Sequence, residues 1–424
     1  MYNMLEIRFV DINGILRAMN IPITAEDLSK AKYDPVFSEG VNIDGSSVAG
    51  FTELSNSDLH LRPEKETLFG LPYTDEPKLA VMCEIQQNGQ IFEGDTRSRL
   101  KQIIEKYLGS KGWSLKIGPE PEFYLLKENQ PVDKGEYADV YPNSIAEGII
   151  KRFSQHLSKS TIKPKVHHHE VGPGQYEIEI GHDFSLQTAD AIVTYKAIIR
   201  ALAVKNGYIA TFMPKPFFGQ AGNGMHFHTS LWEGSTNLFG ADNKNEVSAL
   251  AKHFMAGILE HAQAMTALVA PTVNSYKRLV PGYEAPVYLS WGPLNRSALL
   301  RVPMFQDPKN ARFEYRCPDS SSNPYLAFIA VIAAGMDGIE QELELQPPMN
   351  KNIFRLSSKE RKELNIKTLP GNLFEALSYL EKDAILQDAL GNHIYKQFMK
   401  IKQEEWLQYS TQVTDWDWKN FLNV

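Results

Sequence analysis

Two glutamates sit two residues apart in Gly118-Pro119-Glu120-Pro121-Glu122-Phe123, between the strand-like runs 113–117 and 123–126. In an extended chain such residues share a face. Glu120 and Glu122 therefore point the same way among apolar neighbours, where a carboxylate is costly unless something neutralises it. An exposed edge strand is the plain alternative, because glutamate is mostly a surface residue. Two further clusters bear on the choice: His167-His168-His169-Glu170 followed by Glu177, and Met225-His226-Phe227-His228. Carboxylates with a few imidazoles and no thiolate suit Mg²⁺ or Mn²⁺ better than zinc. Glu120, Glu122, Glu170, Glu177, His226 and Glu314 form a candidate two-metal set. Glu314 lies in Arg312-Phe313-Glu314-Tyr315-Arg316, which alternation also allows as an exposed charged strand. A histidine beside Glu170 also reads as a packed core residue.

A second set is cationic. The segment 274–284, with Arg278 and Glu284, reads as an ordered loop, and Arg296, Arg301, Lys309, Arg312 and Arg316 follow it. Guanidinium groups match carboxylate and phosphate oxygens. Beside acidic metal ligands they would hold a polyanion, as phosphoryl transfer requires. There is no Walker A motif, and Gly219-Gln220-Ala221-Gly222-Asn223-Gly224 lacks the dinucleotide spacing.

The elements that must position these groups are legible in outline. A chain of 424 residues suggests two domains. Residues 5–10 and 15–21 form a hairpin around Asp11-Ile12-Asn13-Gly14. Thr24 would cap a short helix to Ala31, Asp44-Gly45-Ser46-Ser47 reads as a turn, and 79–85 is a strand. A helix opens after Gly94-Asp95-Thr96, which puts the domain division at 1–96 and 97–424. Helices over 144–157, 188–205 and 247–268 alternate with strands over 166–170, 175–180, 209–213, 225–232 and 311–317. The metal-type residues fall on the strands. The expected class is α+β, with a curved antiparallel sheet carrying ligands on one face and helices on the other. From residue 323 the chain reads as nearly all helical.

Composition narrows the partners. A formal net charge of −7 disfavours nucleic acid. Two distant cysteines, Cys83 and Cys317, fit a reducing cytosol rather than a disulfide scaffold. No secretory signal is visible, and the apolar run 325–336 is too short to span a bilayer. A soluble cytoplasmic protein without membrane or nucleic-acid partners is expected.

The motifs Asp44-Gly45-Ser46-Ser47, 118–123, His168-His169-Glu170 with Gly174-Gln175 and Glu177, Lys215-Pro216, Gly224-Met225-His226, 274–286, Asn295-Arg296-Ser297, and 314–318 with Asn323-Pro324-Tyr325 occur in this order. Over essentially its whole length the chain resembles glutamine synthetase of the bacterial and archaeal class I type. The resemblance implies a β-grasp-like N-terminal domain, a catalytic domain, and ATP-driven joining of glutamate and ammonia through γ-glutamyl phosphate. It also implies two or three Mg²⁺ or Mn²⁺, one on Glu122, Glu170 and Glu177 and another on Glu120, His226 and Glu314. Arg278, Arg316 and the Gly222 backbone would bind glutamate, and Arg296 and Arg301 the transferred phosphate. His228, Ser230, Lys309 and Arg312 would contact ATP. Asp44 would deprotonate ammonium, with Ser47, Tyr137 and Glu170 nearby, and Glu284 would lie on a closing flap. Asp44 and Ser47 would reach the site of a neighbouring subunit in a dodecamer of two hexameric rings. The chain departs from the family pattern at Ala221, Glu136 and Ile180. Two rival readings are a relative that makes γ-glutamyl polyamides or ethanolamides and a non-catalytic structural or regulatory relative. The filled set of ligand and arginine positions argues against the second.

Overall fold

The computed structural model describes residues 4–23, 37, 39–241, 246–281, 285–364 and 366–424. The helix expected over 24–31 and the flap residue Glu284 lie outside the described residues. The N-terminal unit is one seven-stranded sheet: β1 (Met4–Val10), β2 (Leu16–Pro22), β3 (Val41–Asp44), β4 (Asp58–Pro63), β5 (Phe69–Gly70), β6 (Lys78–Gln87) and β7 (Gln90–Ile91). β1 and β2 form the expected hairpin. Asp11 closes its turn, accepting from the Ile15 amide at 2.9 Å and from Arg17 through its other oxygen. β1 also pairs in parallel with β6, which gives the mixed order β2-β1-β6-β4-β3. This is the β-grasp arrangement.

Asp95 joins this sheet to the rest of the chain. One carboxylate oxygen accepts from the Ile85 amide on β6, and the other caps the helix Thr96–Tyr107 at the Arg97 amide. Capping satisfies an amide that the first helical turn leaves without a partner.

The large unit is built on an eleven-stranded sheet. Its strands are β8 (Trp113–Lys127), β9 (Gln130–Pro131), β10 (Pro164–His169), β11 (Gln175–Ile180), β12 (Asp183–Phe184), β13 (Ile209–Thr211), β14 (Met225–Glu233), β15 (Thr236–Asn237), β16 (Trp291–Pro293), β17 (Leu300–Val302) and β18 (Phe313–Tyr315). The main path runs β10-β11-β8-β14-β18-β17-β16. Every pairing in it is antiparallel except β16 with β17. The two strand-like runs around Glu120 are one continuous strand, β8. Pro119 and Pro121 cannot donate to a ladder. They fall in the gap between β8's pairing with β12 at Ile117 and its pairing with β11 at Glu122, so the strand passes through without a break.

Helices Ser185–Lys205, Ala249–Val269 and Pro324–Glu340 supply the apolar layer. The last is buried along most of its length and makes the run 325–336 a core helix. Among the described residues no helix is long and apolar enough to cross a membrane. Its crossing with Ala249–Val269 is very close, because a Cβ on Gly257 would strike the Ala334 carbonyl and the Gly338 backbone. Asn323 caps this helix at the Tyr325 amide and donates through Nδ2 to the carbonyls of Asp11 and Ile12, tying the N-terminal hairpin down. One apolar cluster runs through both units.

Candidate active site

Strand register assembles the site. His168 on β10 stands opposite Glu177 on β11, and Glu177 opposite Glu122 on β8. Further along β8, Glu120 stands opposite His226 on β14. His228 on β14 faces Glu314 on β18, and Glu314 faces Arg301 on β17. Side chains on neighbouring strands at such positions lie within reach of one another. Residues separated by up to 194 positions therefore form one row on one sheet face. All six expected metal-type residues line a single cavity of about 440 Å³, together with Tyr137, Gly222, Arg278, Arg296, Arg301 and Arg316. The exposed-strand readings of 120–122 and 312–316 are excluded, because Glu122 and Glu314 are buried.

The row has two electrostatic halves. In the first, burial and then the Glu122 charge push Glu170 up to about 7. Burial raises Glu177 well above the carboxylate range and raises Glu122 as well. His168 partly offsets this. It lies 3.5 Å from Glu170 and 3.4 Å from Glu177, and its hydrogen bond with Glu177 pushes it up to about 9. In the second half the acids already have cationic or donor partners. Burial acts against Glu314, but Arg316 and then the nearby histidines outweigh it and hold Glu314 at about 2. Arg316 Nη1 is 2.5 Å and Arg301 Nη1 2.6 Å from its two oxygens. Burial likewise opposes the charge on Glu120, yet His228 and His226 hold it well below the usual range. His226 Nδ1 sits between the two acids, 3.6 Å from Glu120 and 3.5 Å from Glu314. Crowded carboxylates with raised affinity for protons are a donor set that a divalent cation fits.

Arg278 is buried, and its two terminal nitrogens donate to the carbonyls of Cys317 and Arg316. The cavity thus has a cationic wall fixed by backbone. Gln175 supports the opposite wall. Its Nε2 donates to Glu122, to the Gly222 carbonyl and to Asn223 Oδ1. Glu122 also accepts from the Gly224 amide at 2.7 Å.

The family model described as "Glutamine synthetase, catalytic domain" matches residues 93–421, and "Glutamine synthetase, beta-Grasp domain" matches residues 1–88. The chain belongs to the glutamine synthetase family. It is 43% identical to the glutamine synthetase of Methanocaldococcus jannaschii, over 98% of this chain and 94% of that relative. It is 44% identical to the glutamine synthetase of Thermotoga maritima, over 99% and 96%. Among solved structures, an ADP complex of GmaS has a TM-score of 0.90 at 30% identity, covering 100% of this chain and 97% of that one. As a glutamine synthetase family member the chain is an ATP-dependent carbon–nitrogen ligase.

Not every expected residue lines this chain's cavity. His228 is just behind it, with Nδ1 accepting from Arg312 Nε at 3.2 Å and Nε2 donating to Glu120 at 2.7 Å. Ser230 is buried and accepts from Trp232 Nε1, while Lys309 is exposed on the short turn Pro308–Asn310. Asp44 and Ser47 are exposed at the end of β3 and line no part of the cavity. The Asp44 carboxylate is held by the hydroxyls of Ser46 and Ser47 at 2.6 and 2.7 Å, which keep it below the usual carboxylate range.

Three contributors carried no role in the sequence reading. Gln175 lies within a quoted motif, but its donor role needs Gly222 to be nearby. Glu179 lies two residues beyond Glu177 on β11, and period-two alternation alone would have selected it. It brings a carboxylate oxygen within 4.8 Å of ligand atoms of Glu120 and Glu177. His168 faces the acids, whereas His169 is the packed core histidine of the tract.

Proposed function

We propose that this synthetase joins glutamate to ammonia, with ATP supplying the driving force through γ-glutamyl phosphate. The observation that carries the reading is the shared cavity. Six acid and imidazole groups form its floor, and Arg278, Arg296, Arg301 and Arg316 stand around them. Glu122, Glu170 and Glu177 would hold one Mg²⁺ or Mn²⁺, Glu120, His226 and Glu314 a second, and Glu179 beside Glu120 and Glu177 offers donors for a third. When bound, these ions would neutralise phosphate oxygens and draw charge from the phosphoryl group being transferred.

The chain's own side chains do the rest. Arg278 and Arg316, with the Gly222 backbone, would grip the two ends of glutamate, because a planar fork pairs with a carboxylate. Arg296 and Arg301 would stabilise the transferred phosphoryl group, whose charge spreads over its oxygens. His228, Ser230, Lys309 and Arg312 would hold ATP along the edge of the sheet. Asp44 would take a proton from ammonium, with Ser47 fixing its carboxylate and Tyr137 and Glu170 lining the ammonium pocket. Glu284 would close over the site, because water must be kept from an acyl phosphate.

Asp44 lines no part of its own chain's cavity, which supports a role in another subunit's site. We therefore place the active sites between subunits of a homo-oligomer, taken as a dodecamer of two hexameric rings. Exposed apolar side chains support assembly: Leu54 beside the Asp44 loop, and Trp416, Trp418, Phe421 and Leu422 at the C-terminus. Two functional units, 1–96 and 97–424, and a cytoplasmic location complete the proposal.

The test is a steady-state assay of the purified protein with ATP, glutamate and ammonium, set against putrescine, spermidine and ethanolamine. Turnover with ammonium and little with the amines is expected. Turnover only with an amine would replace the proposed acceptor, and none with any acceptor would leave a non-catalytic relative.

A further inference from the structure

Behind the first acid cluster lies a buried hydrogen-bonded pair that the proposed reaction does not use. The side chains of Asp133 and His169 are both fully buried. Asp133 Oδ1 accepts from His169 Nε2 at 2.9 Å and from the amides of Gly174 and Gly135 at 2.8 and 3.3 Å. Its Oδ2 accepts from the Tyr176 hydroxyl at 2.5 Å. The other ring nitrogen, His169 Nδ1, donates to the Glu170 carbonyl at 2.6 Å. Both ring nitrogens face acceptor atoms, so the ring is anchored at both ends, to Asp133 and to the Glu170 carbonyl.

His169 touches three further groups at once. Through Nδ1 it fixes the peptide that follows the side chain of Glu170. Through its own carbonyl it receives the Ala138 amide at 2.9 Å. Its ring closes on Gly135, where an added Cβ would come within 2.6 Å of Nε2. Gly135 and Ala138 flank Tyr137, whose ring meets His168 edge-on at 5.3 Å. Asp133 extends the linkage to Gly174, next to Gln175, which orients Glu122.

We infer that the hydrogen-bonded Asp133–His169 pair is a positioning device that holds Glu170 and Tyr137 in one register, so that the first metal site and the acceptor pocket are set together. The inference rests on the roles proposed above for Glu170 and Tyr137. Removing one partner of a buried hydrogen-bonded pair also lowers stability, so stability alone does not diagnose positioning.

The experiment is Asp133→Asn in the full-length enzyme, read in two ways. Mn²⁺ binding is followed by electron paramagnetic resonance without turnover, and KM is measured separately for acceptor, glutamate and ATP. Weaker Mn²⁺ binding and a higher acceptor KM, each by roughly 10-fold, are expected, with KM for ATP within about twofold. A folded variant with unchanged Mn²⁺ binding and unchanged acceptor KM overturns the inference. If Asp133→Asn does not fold, Gly135→Ala decides, because its new methyl would press on His169 Nε2 and so disturb the contact between the pair and the loop while keeping both partners. Retention of the parent acceptor KM in that variant counts against us. Tyr176→Phe removes a hydrogen bond from the same carboxylate while keeping the ring that packs edge-on against His169. An equal loss in that variant would show general loosening and also overturn the inference. If the unmodified enzyme uses an amine instead of ammonium, the proposed reaction fails, but the same two readings with that amine still test the pair.

Discussion

Glu122 on β8 stands directly opposite Glu177 on β11, two buried carboxylates placed side chain to side chain across adjacent strands. Like charges in that arrangement are destabilising, so the fold tolerates a local cost at the place where a cation would bind. Glu177→Gln keeps the shape and removes one ionisable group, whose burial and neighbouring carboxylates outweigh its hydrogen bond with His168. In chelator at about pH 8 the variant should be the more stable protein, by on the order of 1 kcal/mol, while activity falls more than about 100-fold. Scanning calorimetry with chelator and a steady-state assay check both halves. A less stable metal-free variant would contradict the electrostatic account.

The same crowding fixes a pH dependence. Burial and the Glu122 charge raise Glu170 to about 7, above its value in an unfolded chain. Its contribution to metal-free stability is therefore present below the ordinary carboxylate range and is lost as pH rises through about 7. Divalent ions bind the deprotonated group. The rise in melting temperature on adding Mg²⁺ should thus be larger at about pH 8 than at about pH 5.5, as thermal melts with and without chelator will show.

Arg316 and Glu314 are almost without exposure and meet at 2.5 Å. Arg316→Leu leaves a buried carboxylate short of a partner, and the cost should be about 3–5 kcal/mol, with Arg301 as the remaining cation. A urea unfolding midpoint close to the parent's would refute this.

Away from the cavity, His261 links two helices and a cap. Its Nδ1 is 2.7 Å from Asp383, which caps the helix Ala384–Leu390, and its Nε2 is 3.2 Å from Asp337 on Pro324–Glu340. Burial opposes the charged ring, but the hydrogen bond and charge of Asp383, with help from Asp337, raise it above the usual histidine value. This stability is fully present below the ordinary histidine value and is lost as pH rises through the folded value. His261→Gln should therefore cost about 1–3 kcal/mol at about pH 6 and less at about pH 9. Denaturation at the two pH values gives the comparison.

Asp44 is exposed and lines no part of its own chain's cavity. Asp44→Ala and Glu122→Ala proteins, each inactive alone, should regain part of the parent activity when unfolded and refolded together, because some sites then receive one intact half from each. Mixed refolding without recovery would place Asp44 outside the reaction.

The amino-acid sequence by itself determined which residue types could bind metal and phosphate, because period-two alternation puts Glu120 with Glu122 and Arg312 with Glu314 and Arg316 on shared faces. It also determined the helix starting after Asp95 and the buried helix after Asn323, whose caps are local. Only the tertiary structure decided which strands become neighbours. Glu122 faces Glu177, and Glu314 faces Arg301, through register between segments far apart in the chain. The same is true of burial. A carboxylate in an alternating strand looks alike whether it meets water or an arginine, and the partner that makes the difference comes from another strand. His168 and His169 are adjacent, yet one faces the acids and the other is locked to Asp133, because a strand turns successive side chains to opposite sides.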